Sequence, residues 1–204
     1  PEGCKFVKIE SPNAQFRFKT LTVNFEGKKS DDNGKLMTTA PMTGDVVAIV
    51  NGTKVMTTTP SGKKVAGEDA SIVDGVLTPS ETTAQLIVVV DENGYYTFVT
   101  AEGKYLTSGA TGDGLTLADA PSIYSLWNVE AGGEGLFFIK NANAKFMDSV
   151  QSLEYYSGGF TTYGHKDTEI YQMKLFAVSA EPEAPTGGQL MTTAPVTGDV
   201  GVIV

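Results

Sequence analysis

The sequence is short of most of what catalysis, membrane insertion and nucleic-acid binding require. In 204 residues it has one cysteine, one histidine and one tryptophan. Cys4 has no internal partner, so no disulfide within the chain supports the fold. His165 is the one imidazole, the usual base at neutral pH, and no motif brings it to a nucleophile. One His and one Cys also fall short of the three or four nitrogen and sulfur ligands of a zinc site. Cationic side chains are few: 15 Lys and Arg against 24 Asp and Glu leave a net charge of −9. Phosphate backbones need a basic stripe, and none is visible, which excludes a nucleic-acid partner. No apolar run approaches the roughly 18 residues of a membrane-spanning helix, so no membrane insertion is expected. Helical periodicity is almost absent.

Acidic residues are plentiful, but they sit in turn sequences such as Asp31-Asp32-Asn33-Gly34, Asp91-Glu92-Asn93-Gly94 and Asp113-Gly114. Turn formation explains them. The spaced Asp-x-Asp-x-Asp-Gly of a calcium loop is missing, and Gly112-Asp113-Gly114 is followed by neither Lys-Ser/Thr nor a helix, as a phosphate loop would be. No cofactor or metal is therefore expected, and the chain reads as a non-enzyme.

What is present is a repeated hairpin. Gly94-Tyr-Tyr-Thr-Phe-Val-Thr-Ala-Glu-Gly-Lys-Tyr-Leu-Thr107 holds two runs of β-formers around Ala101-Glu102-Gly103, with Gly103 able to take a positive φ. Gly135–Asp148 lines up with it without a gap: Tyr96 falls on Phe137, Phe98 on Ile139, Lys104 on Lys145, Tyr105 on Phe146 and Leu106 on Met147. A shorter copy, Gly44–Thr57, places Val47, Ile49, Lys54, Val55 and Met56 at the same points. Leu86–Val90 matches Trp127–Ala131 ahead of two of the copies, and Ser122-Ile-Tyr-Ser-Leu126 echoes Glu169-Ile-Tyr-Gln-Met173. Short strands separated by Gly, Asn, Asp and Pro clusters mean an all-β sandwich or barrel. Three four-stranded units favour a β-trefoil, a pseudo-threefold barrel; a β-sandwich is the alternative, but it gives no reason for threefold copying.

A second, longer repeat sets the domain limits. Gly34-Lys-Leu-Met-Thr-Thr-Ala-Pro-Met-Thr-Gly-Asp-Val-Val-Ala-Ile-Val50 returns as Gly188-Gln-Leu-Met-Thr-Thr-Ala-Pro-Val-Thr-Gly-Asp-Val-Gly-Val-Ile-Val204. An offset of about 154 residues is the period of a whole module. The expected organisation is an extra β-hairpin over 1–30, ending a preceding domain or packed as an accessory strand pair, then a trefoil over 31–180. A Pro/Glu linker and the first strand of a following module then fill 181–204. The chain opens on Pro1-Glu2-Gly3 without an initiator Met and ends on a hydrophobic strand, which points to a piece of a longer protein.

The aromatic residues that recur between units read as core. The third unit departs from its siblings, with Phe146-Met147-Asp148 and the aromatic run Gln151–His165. The threefold pattern resembles the ricin-B-type β-trefoil lectins. In that family each unit carries an Asp after its first hairpin, an aromatic ring on a following strand and a nearby polar partner. The Asp accepts bonds from sugar hydroxyls while the ring stacks on the sugar's apolar face. The resemblance implies Asp148, Tyr163 and His165 as carbohydrate-binding candidates, with Tyr156 in the same run as a fourth. The family's Gln-x-Trp closing motif is not kept: Ser125-Leu126-Trp127 retains the Trp alone. Leu36–Val50 also resembles the opening of modules that recur in large secreted or surface proteins of gut bacteria. The implied role is a non-catalytic accessory module of a secreted or cell-surface protein, binding a glycan or cell-surface polysaccharide weakly beside neighbouring modules of the chain. The alternative is a structural spacer or protein-adhesion module without a small ligand.

Overall fold

The structure, a computed structural model, describes residues 33–178. The hairpin expected over 1–30 and the segment 181–204 lie outside the described residues. Within them there are fourteen strands and no α-helix. The first unit contributes β1 (Val46–Asn51), β2 (Lys54–Ser61), β3 (Lys64–Asp69) and a small added hairpin, β4 (Ser71–Val73) and β5 (Val76–Thr78). The second contributes β6 (Leu86–Val90), β7 (Tyr96–Thr100), β8 (Tyr105–Ser108) and β9 (Leu115–Ala118). The third contributes β10 (Trp127–Gly133), β11 (Leu136–Phe146), β12 (Ser149–Tyr156) and β13 (Gly159–Gly164), followed by β14 (Gln172–Ala177).

Six of these close a ring of antiparallel pairs: β1 with β6, β6 with β7, β7 with β10, β10 with β11, β11 with β14, and β14 with β1. Closure leaves no unpaired edge in the barrel. The hairpins β2/β3, β8/β9 and β12/β13 follow the second strand of each barrel pair. This is a β-trefoil, and the sandwich alternative falls with the closed ring. Gly103 turns β7 into β8 at φ 79°, the positive value its position requires.

The threefold pattern is written in the core. Ile49, Phe98 and Ile139 occupy equivalent points on β1, β7 and β11 and are fully buried. A second set is Leu86, Trp127 and Met173; a third is Met56, Leu106 and Leu153. All nine belong to one cluster, and each such burial stabilises by roughly 1.5–3 kcal/mol. Trp127 satisfies its one polar atom by donating Nε1–H to the Leu106 carbonyl at 3.0 Å.

Two of the expected equivalences shift. Leu153, not Met147, takes the place of Leu106: Met147 is 83% exposed. The corner pair Val99 and Tyr105 has five residues between its members, and the matching pair Lys140 and Ser152 has eleven. The third unit thus carries a six-residue insertion that extends β11 and β12 into a projecting hairpin. Tyr105 and Phe146 are accordingly not equivalent either. The echo of residues 122–126 in 169–173 is one residue out of step. The 3-10 turns Ile123–Ser125 and Glu169–Tyr171 superpose Ser125 on Tyr171 and Trp127 on Met173.

Polar side chains fasten those turns to the barrel. Asn51 at the end of β1 donates its amide to the carbonyls of Glu169, Ile170 and Gln172 at 2.9–3.2 Å. Asn141, at the matching point of β11, donates to Tyr124 O at 2.8 Å and accepts from the amides of Asn143 and Ala144.

β1 is buried on both faces, which its unbroken apolar run anticipates. Val47 and Ile49 face the core, while Val46, Ala48 and Val50 face outward into a second cluster with Leu77 and Phe176, joined by Ile72. The β4/β5 hairpin supplies that cover. Replacing Asn51 with Ala leaves three carbonyls of a packed turn without their donor, and N51A is expected to lose about 2 kcal/mol in chemical denaturation, with Asn143→Ala, at an exposed position, losing less than half as much.

Candidate functional site

The outer face of the barrel differs from unit to unit. In the first it is covered by β4/β5. In the second it carries Ile87, Val89 and Val99, with Val89 43% exposed. In the third the corresponding positions are Asn128, Glu130 and Lys140. These three line a cavity of about 410 Å³, walled on the other side by Ser149 and Val150 of β12 and by His165. Polar side chains stand on the barrel strands here because the inserted hairpin rises over them, leaving a wet cleft rather than a covered face.

The cleft is rich in hydrogen-bonding groups and nearly neutral. Lys140 Nζ lies 2.7 Å from Glu130 Oε2, so the one cation in the lining is paired by its one carboxylate. His165 is held rather than free. Its Nδ1 lies 3.0 Å from Ser152 Oγ, its Nε2 lies 3.1 Å from Asp167 Oδ1, and its ring meets Phe138 edge-on at 4.9 Å. It positions the end of β13 against β11 and contributes a ring wall to the cleft. Among the described residues, no group of three or more His, Cys, Asp or Glu side chains could hold a metal ion.

Of the four residues that the sequence puts forward, three gather near this cleft. His165 lines it. Tyr163, two residues earlier, is 37% exposed and packs on Phe146 with centroids 4.4 Å apart. Phe146 in turn pairs with the lining residue Ser149. Asp148 is exposed in the two-residue turn between Phe146 and Ser149. Its neighbour Met147 holds φ 52°, a left-handed conformation that disfavours side chains by about 1–2 kcal/mol. Tyr156 stands apart. It pairs with Gly159, four residues along β12 from Ser152, about 13 Å at strand spacing. Lys64 Nζ lies 5.5 Å from its ring and donates to its carbonyl at 2.7 Å, so Tyr156 belongs to the seam with the first unit.

Sequence reasoning missed Asn128, Glu130 and Lys140. The signal that could have found them is the contrast between Asn128-Val-Glu130 and Ile87-Val-Val89 at matching positions.

Glu154 lies behind the cleft, 5% exposed, where the other units have Thr57 and Thr107. Burial pushes its carboxyl above the usual range, against hydrogen bonding to Tyr171 and the charge of Lys64. Burial likewise raises the Tyr171 hydroxyl, which donates to the Gly164 carbonyl at 3.0 Å.

No protein-family model matches the chain, and no curated protein matches it. Solved structures do. A designed threefold-symmetric protein, ThreeFoil, is 15% identical with a TM-score of 0.50, the match covering 65% of this chain and 99% of that one. SeviL bound to asialo-GM1 saccharide is 20% identical, with a TM-score of 0.48 and coverage of 65% and 97%. The BEL β-trefoil is 12% identical, with a TM-score of 0.49 and coverage of 69% and 97%. At these identities the likeness is one of fold alone, and the ThreeFoil match agrees with the closed ring of strands.

The raised carboxyl gives a pH prediction. Below about pH 4 Glu154 is protonated in both the folded and the unfolded chain. As pH rises through the ordinary value, the unfolded chain ionises first, so the folded state loses stability until its own higher pKa is passed. Glu154→Gln is expected to melt higher than the wild type at neutral pH and at the same temperature below about pH 4, as calorimetry at the two pH values will read.

Proposed function

We propose that this module binds carbohydrate weakly through its third unit, as a non-catalytic accessory part of a larger secreted or cell-surface protein. The observation that carries the reading is local to one unit. Among the described residues, the third alone combines a polar cleft, an inserted hairpin and a half-exposed tyrosine packed on Phe146 beside it. Asn128, Ser149 and the paired Lys140 and Glu130 offer donors and acceptors to hydroxyls, while Tyr163 on Phe146 offers an apolar ring face. Polyhydroxylated rings need both, since their edges are polar and their faces carry C–H groups. Weak affinity is expected, because the cleft is open and small sites gain little beyond the entropy lost on binding. Asp148, exposed at the hairpin tip, is the group we expect to meet a sugar that extends beyond the cleft.

The secreted or surface setting rests on the repeated 17-residue segment and the resemblance of Leu36–Val50 to modules of such proteins. Glycans on such surfaces, together with neighbouring modules of the same chain, are the expected partners.

A glycan array followed by titration of its best ligand tests the reading. Tyr163→Ala is expected to weaken binding at least tenfold, about 1.4 kcal/mol, with an unchanged far-ultraviolet circular dichroism spectrum. Asp148→Ala is expected to weaken it less. Binding equal to wild type in both variants, or no binding to any neutral glycan, would remove the proposal and leave a spacer or protein-adhesion role.

A further inference from the structure

Among the described residues, the ion pair in the cleft has no counterpart in the other two units. Glu130 stands where they have Val89 and Phe176, and Lys140 stands where they have Val99 and Val50. Two apolar positions of the barrel's outer face have become an acid and a cation in the third unit. Stability does not account for the exchange, because partly exposed ion pairs contribute little to it. The pair lies in the lining of the cleft, where its charges meet whatever enters.

The two partners are not equally presented. Asn128 pairs with Lys140 and Glu130 with Phe138, so the acid and the cation are diagonal neighbours on one face of β10 and β11. Lys140 is held twice. Its Nζ donates to Glu130 Oε2 at 2.7 Å and lies 5.5 Å from the centre of the Phe138 ring. Its side chain is 20% exposed, against 53% for that of Glu130. Oε1 of Glu130 is left without a partner among the described residues. A ligand in the cleft thus meets a free carboxylate oxygen, while the less exposed ammonium is already engaged. The exposed charges next to other lining residues, Asp148 and Asp167 against Lys145 and Lys166, cancel in number. The lining pair therefore decides which ligand charge is tolerated.

Charged and uncharged sugars fare differently against such a pair. A hydroxyl can donate to Oε1, and a bond to an ionised acceptor is shorter and stronger than one between neutral groups. A ligand carboxylate or sulfate has no proton to donate, and Glu130 repels it. To reach Lys140 it must displace Glu130, which then faces it unpaired. Selectivity of this kind comes from the repulsive element as much as from the attractive one.

We propose, on the carbohydrate reading above, that Glu130 is the charge filter of the cleft: it anchors uncharged saccharides through their hydroxyls and excludes those carrying a carboxylate or sulfate. Lys140 orients the carboxylate and takes up one of its oxygens.

Titration calorimetry with two ligands tests this: the best uncharged oligosaccharide from the glycan array, and the same oligosaccharide capped with sialic acid. The wild type should bind the uncharged form tighter by about tenfold or more. Glu130→Gln keeps the shape and removes the charge. It should bring the two affinities within about threefold of each other, with binding of the capped form now weakened by added salt. Lys140→Met removes the counter-charge instead and should widen the preference. Thermal melts of both variants should lie near that of the wild type; should one unfold, the wild-type ratio still decides. Equal binding of the two ligands by the wild type, tighter binding of the capped form, or a ratio unmoved by Glu130→Gln would overturn the filter and leave the carbohydrate reading in place. A ratio that shrinks alike in both variants would assign the pair a structural role and overturn the filter too. If no saccharide binds the wild type, the reading and the filter fall together.

Discussion

The pairing of β1 with β14 is the contact on which the rest depends. These strands come from the two ends of the described chain, and between them they complete both the barrel and the threefold pattern. Val47 to Val50 pair residue by residue with Ala177 to Lys174. β1 also meets β2 and β6; β7 and β11 pair with three strands too, but of the three only β1 is buried along its whole length. Its outermost pairs with β14, Val50–Lys174 and Val47–Ala177, join residues 124 and 130 positions apart in sequence. The entropy of closing so long a loop must be met before that ladder forms. The two barrel hairpins β6/β7 and β10/β11 and the three cap hairpins are local in sequence. The Asn51 amide, fastened to the turn before β14, makes closure specific as well as favourable.

Once the barrel is closed, its three outer faces are free to differ. The first is sealed by an added hairpin, the second is left partly apolar, and the third is made polar beneath an inserted one. Core positions cannot vary in this way, because Ile49, Phe98 and Ile139 share one packed axis. Any specific chemistry is therefore confined to faces and insertions. The cleft at Asn128, Lys140 and His165 is where a face and an insertion meet.

Much of this was legible in the residues. Tyr96 with Phe137 and Phe98 with Ile139 mark the repeat, and their alternation reports the barrel directly. Beyond them the sequence match misleads, because Lys145-Phe146-Met147 resembles Lys104-Tyr105-Leu106 in type. Residue type alone does not distinguish an apolar hairpin tip from a core strand, and only the ladder from Lys140 to Ser152 exposes the insertion. The pairing of Ser125 with Tyr171 was likewise hidden, since a small hydroxyl and a large ring share no pattern. Asn51 and Asn141 act on turns remote in sequence, and their equivalent in the second unit is a threonine. Of the candidate residues, Tyr163 and His165 depart from the sibling units; His165 lines the cleft and Tyr163 packs on Phe146 beside it. Tyr156 met the same criterion, yet it packs with Lys64 elsewhere.

The central claim is that ligand recognition belongs to the third unit's cleft and not to a threefold-repeated site. Amide chemical-shift mapping during titration with a neutral oligosaccharide tests it most directly. The account predicts shifts confined to residues 128–130, 140–150 and 163–165. Shifts of similar size at the matching positions of the other units, around Ile87 and Val99 or around Val50 and Lys174, would contradict it.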